Sequence, residues 1–355
     1  MIIKTIEAKK VNLELLHPVV VAIGSIHSCE TVVVKVETEE GIVGYGEGIG
    51  VTFVTGETVD TILSAVGVLK NELIGLDPFA IDHIHSVMDR TLIHNASAKA
   101  AIDIALYDIM GKHAKMPLYR LLGGIADQME TDLTVMIGTP EEMTEEALQI
   151  VGRGFHHIKI KAGLHSEEDV EAVRRIREAV GPHIHLKIDA NQGWSAGDSI
   201  RIIQKMAELG VEAVEQPVPA WDIDGLAYIR SKSPIPIMAD ESCFSPQDAA
   251  KLVKKDAVDI INIKLMKCGG LYRALQINTI AETNGVRCML GCMMESRISI
   301  SAGAALVASR PNFIYGDLDS FFYFKESPEI RGGFTCTGPR LQLSEEYGLG
   351  IKVDF

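Results

Sequence analysis

The pattern of apolar and polar positions changes character near residue 130. Residues 2–13 and 31–37 alternate at every second position, which predicts β-strands, and the turn after the second of them predicts a hairpin. Helical spacing of apolar residues follows over residues 57–74, 78–94 and 98–115. Asn95 and Ser97 are the capping residues expected at the start of the third helix. Strands followed by helices predict an α+β domain over residues 1–122.

Beyond that point, short apolar strands alternate with amphipathic helices at a period of roughly 25 residues. The eight predicted strands are residues 131–138, 156–162, 183–189, 211–216, 235–240, 257–265, 286–292 and 312–318. The helix over 166–180 is expected to begin with a capping box formed by Ser166 and Asp169. Eight βα units predict a (β/α)8-type barrel, a modified TIM barrel, over residues 123–320. The turn-rich residues 321–355 are expected to pack back on the N-terminal domain, which would cap the barrel.

Composition and charge narrow the classes of partner. The net charge is −14 and the pI is about 5.3, and an acidic protein repels phosphate backbones, so nucleic acid is not an expected partner. No run of roughly 18 apolar residues occurs, which argues against a membrane span. The first residues lack the apolar core of a signal peptide, and the six cysteines form no C-x-x-C pair. We therefore expect a cytoplasmic protein, with a homo-oligomer left open.

Acidic residues close three consecutive strands of the predicted barrel. Asp189, Glu215 and Asp240 lie roughly one βα unit apart, so their side chains should converge at the carboxyl-terminal mouth, where barrel enzymes carry functional residues. Without compensation they would repel one another and raise one another's pKa values. A hard divalent cation removes that repulsion, and an all-oxygen ligand set favours Mg²⁺, with Mn²⁺ as the alternative. The competing interpretation is that these are surface acids at loop starts.

Lysines flank these acids on both sides. Lys159 and Lys161 share one face of the second strand, and Lys264 ends the sixth. Neighbouring ammonium groups and a metal ion lower the pKa of a lysine, so a neutral lysine is expected to act as a base near neutral pH. The pair Lys161 and Lys264 predicts proton removal from one face of a carbon beside a substrate carboxylate and proton return to the other face. The competing interpretation is a set of solvated cations.

The motifs that contain these residues are Lys159-Ile160-Lys161, Asp189-Ala190-Asn191, Glu215-Gln216-Pro217, Asp240-Glu241-Ser242 and Asn262-Ile263-Lys264. Together they resemble the muconate lactonizing enzyme subgroup of the enolase superfamily, and the resemblance covers essentially the whole chain. It implies metal ligation by the three acids, acid/base catalysis by Lys161 and Lys264, and a capping domain whose loops close over the barrel. The residues that it implies as supports of the metal ligands are Asn191, Glu241 and Asn262.

The eighth strand ends in Asp317-Leu318-Asp319, which resembles the mark of dipeptide epimerases, where it holds the substrate's α-ammonium group. Two carboxylates at i and i+2 face the same way and form a cation site. The seventh strand has no His, which excludes the mandelate racemase branch. N-acylamino acid racemases and o-succinylbenzoate synthases remain the enzyme alternative, and a non-catalytic dipeptide- or metal-binding barrel is the alternative from another class.

The substrate pocket is expected to be apolar. Epimerases of this kind that act on Ala-Glu hold the glutamate with an Arg in the first capping loop, and here that position is Gly24 in a stretch, residues 11–34, without Arg or Lys. A buried second carboxylate would have no partner there, so a hydrophobic second residue is predicted. The candidate substrate contacts besides the Asp pair are Lys159, Gly24, Ile26, Phe53, Glu295 and Ser296. The preferred first residue stays open.

Overall fold

The computed structural model describes residues 1–17 and 27–355 with their side chains, and within residues 18–26 only the backbone of two short strands. The N-terminal strands are β1 (Ile3–Leu13), β2 (Val19–Val21), β3 (Gly24–Ile26), β4 (Cys29–Thr38) and β5 (Val43–Ile49). The helices that follow are α1 (Val59–Leu73), α2 (Ile81–Thr91), α3 (Ala96–Ala114) and α4 (Leu118–Leu121). Strands β1, β4 and β5 form an antiparallel sheet, with the expected hairpin between β4 and β5.

Helix α3 is buried along nearly its whole length because it lies directly on β5. A Cβ atom on Gly44 or Gly46 would overlap the backbone carbonyl of Ala105 or Ala101, so these glycines allow the close approach of strand and helix. The expected capping of α3 by Asn95 and Ser97 is wrong. Neither side chain caps the helix, and the buried carboxylate of Glu57 instead accepts hydrogen bonds from the first amide groups of α3.

The barrel strands are β7 (Leu133–Val135), β8 (His157–Lys161), β9 (His185–Asp189), β10 (Val211–Glu215), β11 (Ile237–Ala239), β12 (Ile260–Lys264), β13 (Arg287–Gly291) and β14 (Phe313–Asp317), preceded by the short β6 (Gln128–Glu130). They pair in chain order as one parallel eight-stranded sheet, which confirms the predicted barrel. Between the two edge strands, the amide of Asp132 donates to the carbonyl of Gly316 at 3.0 Å, and the amide of Leu318 donates to the hydroxyl of Thr131 at 2.8 Å. These bonds bring the two ends of the sheet together.

The barrel helices are α5 (Pro140–Gly152), α6 (Ser166–Val180), α7 (Ala196–Glu208), α8 (Ile223–Lys232), α9 (Pro246–Lys254), α10 (Leu265–Cys268), α11 (Leu271–Thr283) and α12 (Arg297–Ser309). The capping box expected at α6 is wrong: no side chain caps this helix at its start. Asp169 turns instead toward the barrel mouth, where it accepts from the amide of Gly163 at 3.1 Å and from the indole of Trp194 at 3.0 Å. It thereby ties together the loops that follow β8 and β9.

The C-terminal segment contains a 3-10 turn (Ser320–Tyr323) and the strands β15 (Ile330–Gly332), β16 (Phe334–Thr337), β17 (Arg340–Leu343) and β18 (Ile351–Val353). It packs back on the N-terminal domain: the amide of Lys325 donates to the carbonyl of Glu14, and the amide of Leu349 donates to the buried carboxylate of Asp108 in α3. Within the described residues, no helix is long and apolar enough to span a membrane.

Candidate active site

The three predicted metal-binding carboxylates lie together at the carboxyl-terminal mouth. Asp189 and Glu215 are the last residues of β9 and β10, and Asp240 directly follows β11. All three are buried. Because β10 lies between β9 and β11, Glu215 stands between the two aspartates. The strand-end spacing read from the sequence therefore corresponds to adjacency in space.

Lysines from two strands contact this group of acids. The ammonium of Lys159 lies 3.0 Å from a carboxylate oxygen of Asp189, 3.0 Å from one of Glu215 and 2.8 Å from one of Asp317. The ammonium of Lys161 lies 2.7 Å from Asp189, on the β8 side of the group. Lys264 approaches from the β12 side, 2.9 Å from Asp240. The two candidate catalytic lysines therefore stand on opposite sides of the carboxylates, as the order of the strands predicts.

Lys267 is a neighbour that sequence reasoning missed. It is fully buried in α10, and its ammonium contacts both the side chain and the backbone carbonyl of Asp240. Residue spacing gives no signal for it, because Lys264 ends strand β12 and Lys267 lies in the helical turn that follows, so only the fold brings both ammonium groups to Asp240. Asp240 thus has a structural cation on one oxygen and Lys264 on the other.

The expectation of a depressed lysine pKa is not met by the side chains alone. Burial is the largest single effect on Lys264 and lowers its pKa, but the charges of Asp240, Glu215 and Asp317 together raise the pKa overall. Burial and the neighbouring carboxylates act on Lys159 in the same two directions, with the same net rise. The attraction of the carboxylates that face these ammonium groups therefore affects the lysine pKa more than the repulsion between the ammonium groups does.

The chemistry of the ligand set fits a hard divalent cation. The three acids offer only oxygen atoms, and amides orient two of them: the side chain of Asn262 donates to Glu215 at 2.6 Å, and the backbone amide of Asn191 donates to Asp189 at 3.0 Å. The side chain of Asn191 also donates to the neighbouring Glu241 at 3.1 Å. Within the described part of the chain, the amide oxygen of Asn262 and one carboxylate oxygen of Glu241 are buried without a hydrogen-bond partner. Burial, together with Asp240 and Asp189, raises the pKa of Glu241 to about 7. Excess negative charge and unpartnered oxygens are what a cation would compensate.

Across the mouth, Asp317 and Asp319 form the second acidic group. Asp132 joins them, and carboxylate oxygens of the three residues lie within 4.8 Å of one another. Burial opposes ionisation of Asp317, but Lys159 lowers its pKa overall, whereas burial and the charge of Asp317 raise the pKa of Asp319. The pair predicted from the sequence is therefore brought together. Asp132 was missed, because nothing in its own strand distinguishes it.

The cavity between the two acidic groups has an apolar side. Its lining residues other than the charged groups are Val51, Phe53, Val54, Thr134, Met136, Asn191, Cys292, Met293, Met294 and Tyr323. Phe53 thus lines the cavity, as the sequence predicts. Residue 24, a glycine, and the side chain of Ile26 lie outside the part of the chain whose side chains are described. Glu295 and Ser296 are buried against β5 instead, where Glu47 accepts a 2.8 Å hydrogen bond from the amide of Ser296.

Two family models match the chain. Residues 4–123 match the mandelate racemase/muconate lactonizing enzyme N-terminal domain, and residues 142–355 match the enolase C-terminal domain-like model. The chain belongs to the enolase superfamily. Among its relatives, the hydrophobic dipeptide epimerase of Enterococcus faecalis is 47% identical, and the L-Ala-D/L-Glu epimerase of Clostridium acetobutylicum is 40% identical, each alignment covering 99% of both chains. The crystal structure of the Enterococcus faecalis V583 dipeptide epimerase, complexed with Mg and L-Leu-L-Tyr, superimposes with a TM-score of 0.97 at 47% identity, covering 99% of this chain and 100% of that one.

Proposed function

We propose that this chain is a Mg²⁺-dependent dipeptide epimerase that inverts the α-carbon of the C-terminal residue of an L,L-dipeptide, with a hydrophobic second residue preferred over Glu. The observation that carries the proposal is the placement of Lys161 and Lys264 on opposite sides of one buried carboxylate group, 2.7 Å from Asp189 and 2.9 Å from Asp240. Two bases that face each other across a site are what a 1,1-proton transfer with inversion needs. The similarity to the two epimerases supports the same reaction class.

Each group has a proposed role. Asp189, Glu215 and Asp240 would hold Mg²⁺, which when bound offsets the negative charge that builds on the substrate carboxylate as the α-proton leaves. Lys161 removes the proton from one face, and Lys264, protonated, delivers a proton to the other. The supporting hydrogen bonds come from Asn191, Glu241 and Asn262.

The substrate's two charged ends require opposite partners. We assign its α-ammonium group to Asp317 and Asp319, whose buried carboxylates favour a cation. A neutral N-acyl group would leave these carboxylates without a cationic partner, and an anionic group would be repelled. Lys159 lies between Asp317 and the metal-binding carboxylates, and we assign it a contact with the substrate carboxylate. The side chain of the dipeptide's second residue would then lie against Phe53 and Val54. Gly24 and Ile26 remain proposed contacts of that side chain. Glu295 and Ser296 would contribute to substrate binding indirectly, through the contact between β5 and α12.

We propose three units for this architecture: a capping domain over residues 1–122, a catalytic barrel over 123–320 and a C-terminal segment over 321–355. Strand β17 pairs with β6, and the amide of Lys325 donates to the carbonyl of Glu14, which supports a segment that contacts both other units. We also propose a cytoplasmic location, which is supported by six free cysteines, five of them buried.

Exchange of the α-proton in D₂O tests the proposal. The enzyme with Mg²⁺ is incubated with L-Ala-L-Phe, L-Ala-L-Glu and N-acetyl-L-Phe, and NMR follows deuterium entry and epimer formation. We expect exchange with epimerisation for the free dipeptides only, and fastest for L-Ala-L-Phe. Exchange on L-Ala-L-Glu alone would contradict the apolar pocket and keep the class. Exchange on N-acetyl-L-Phe alone would contradict the ammonium site and favour an N-acylamino acid racemase. Binding of the dipeptides without exchange would contradict catalysis and favour a non-catalytic barrel.

A further inference from the structure

Two histidines and a glutamate meet at the end of the barrel opposite to the active site. His157 and His185 are the first residues of β8 and β9 and are direct partners in the register of these strands. Their imidazole rings stack with centroids 4.5 Å apart and planes 16° from parallel. Glu212 lies at a register shift between Val211 and Ala213, where β10 bulges, and its carboxylate contacts Nδ1 of His185. The bulge thus turns an acid toward the histidine pair.

The imidazole of His157 is held in a form suited to bind a metal. Its Nδ1 atom is buried and has no hydrogen-bond partner within the part of the chain that the structure describes. Burial, and then the charges of His185 and Lys187, lower the pKa of His157. A neutral ring with a free nitrogen lone pair is therefore present at neutral pH, and such an unsatisfied buried nitrogen calls for a ligand.

The charges around the cluster do not oppose a cation. Lys187 is the neighbouring positive group, but its ammonium is engaged 2.5 Å from Asp132 and 4.3 Å from the centre of the Tyr315 ring. Glu212 and Glu130 both act on His157 as nearby anions. One nitrogen from each histidine and one oxygen of Glu212 lie within 4.8 Å of one another.

We propose that His157, His185 and Glu212 form a second metal site, selective for a borderline divalent ion such as Zn²⁺ over Mg²⁺. Two imidazole nitrogens and one carboxylate oxygen are a ligand set for Zn²⁺, whereas Mg²⁺ prefers oxygen alone. The side chains of His185 and Glu212 are 46% and 33% exposed, so an ion can enter and keep water as a further ligand. Lys161 lies four residues further along β8, or about 13 Å at the rise of a strand, so this site is separate from the catalytic one.

Competition for Zn²⁺ with a chromophoric chelator, in saturating Mg²⁺, tests the site. The full-length protein should take up one Zn²⁺ that Mg²⁺ does not displace, and His185→Ala and Glu212→Gln should each weaken that binding by about 100-fold or more. The matched control is His183→Ala, an exposed histidine two positions away, which should bind as the unmodified protein does. Asp240→Asn, which alters the catalytic acids, should also retain the ion.

Cobalt provides a second readout that separates ligand loss from misfolding. Co²⁺ at a site with imidazole ligands should give visible absorption bands that His185→Ala removes, while thermal unfolding of this variant in chelator matches the unmodified protein. Zinc binding that His185→Ala leaves intact, or that disappears in Asp240→Asn, would overturn the proposal. So would the absence of a Zn²⁺ equivalent in saturating Mg²⁺.

Discussion

The phenol of Tyr323 donates a 2.8 Å hydrogen bond to the carboxylate of Asp319. The same carboxylate oxygen accepts from the amide and the hydroxyl of Thr134, at 3.0 and 2.7 Å. Burial and the charge of Asp317 raise the pKa of Asp319, while these donors act in the opposite direction. The barrel's first strand and the C-terminal segment therefore both orient the carboxylate to which we assign the substrate's ammonium group.

Removing that phenol should weaken recognition of the ammonium group. We expect Tyr323→Phe to raise the KM for L-Ala-L-Phe by about 10-fold with a smaller change in kcat. A hydrogen bond to a charged group is worth about 1.5–3 kcal/mol, and the loss lies at the lower end because Thr134 still donates. Steady-state kinetics measures the split. Tyr347→Phe, at a half-exposed tyrosine, is the control. An unchanged KM in Tyr323→Phe would argue that Asp319 does not face the substrate.

The two-base mechanism predicts a stereochemical asymmetry in single-lysine variants. We expect Lys161→Ala and Lys264→Ala each to lower epimerisation by about 1000-fold or more, since each removes one acid/base group. Each variant should still exchange the α-proton of one epimer with D₂O, and the two variants should differ in the epimer on which exchange persists. NMR of both epimers gives the result, with Lys205→Ala, at a partly exposed lysine of α7, as control. Exchange that persists on the same epimer in both variants would contradict bases on opposite faces.

Sequence reasoning reached the barrel and the acids because both leave a local pattern. Each of the eight predicted strands is present, since a buried parallel strand is a short apolar run bounded by polar residues. Asp189, Glu215 and Asp240 were found because strand ends of a barrel converge. Helix starts were less reliable, because Glu57 and Asp169 form hydrogen bonds that depend on tertiary neighbours.

The supporting contacts could not be read from the sequence, since they join distant segments. Asp132 is paired with Lys187, and Tyr323 reaches Asp319 from a turn after the last strand. His157 and His185 come from different strands, and only the register of these strands brings their rings together. Long-range pairing of polar groups has no periodicity, so only the fold reveals it.

The buried Glu295 should make the free energy of unfolding depend on pH. Burial raises its pKa from the ordinary value of 4.5 to about 8, and Glu47 adds to the rise. Between these values the native state holds a proton that the unfolded chain has released, so stability falls as pH rises, by at most about 1.4 kcal/mol per unit. We expect Glu295→Gln to flatten this dependence between pH 5 and 8 in urea unfolding, and Glu326→Gln at a surface position to leave it intact. Parallel curves for the unmodified protein and Glu295→Gln would refute a protonated Glu295.

A cation placed in the apolar side of the cavity should change substrate preference. Val54 lines the cavity beside Phe53. The buried carboxylate of a substrate glutamate needs a charged partner, which a lysine would supply. The apolar side chain of a substrate phenylalanine would lose apolar contact area when lysine replaces valine. We expect Val54→Lys to shift the ratio of kcat/KM for L-Ala-L-Glu over L-Ala-L-Phe by about 10-fold or more toward glutamate, with Val54→Leu shifting it little or the other way. The readout is the exchange rate on a mixture of both dipeptides, which removes errors in enzyme concentration. A ratio that Val54→Lys leaves unchanged would mean that the side chain of the dipeptide's second residue lies elsewhere, and position 24 would be the next place to introduce the charge.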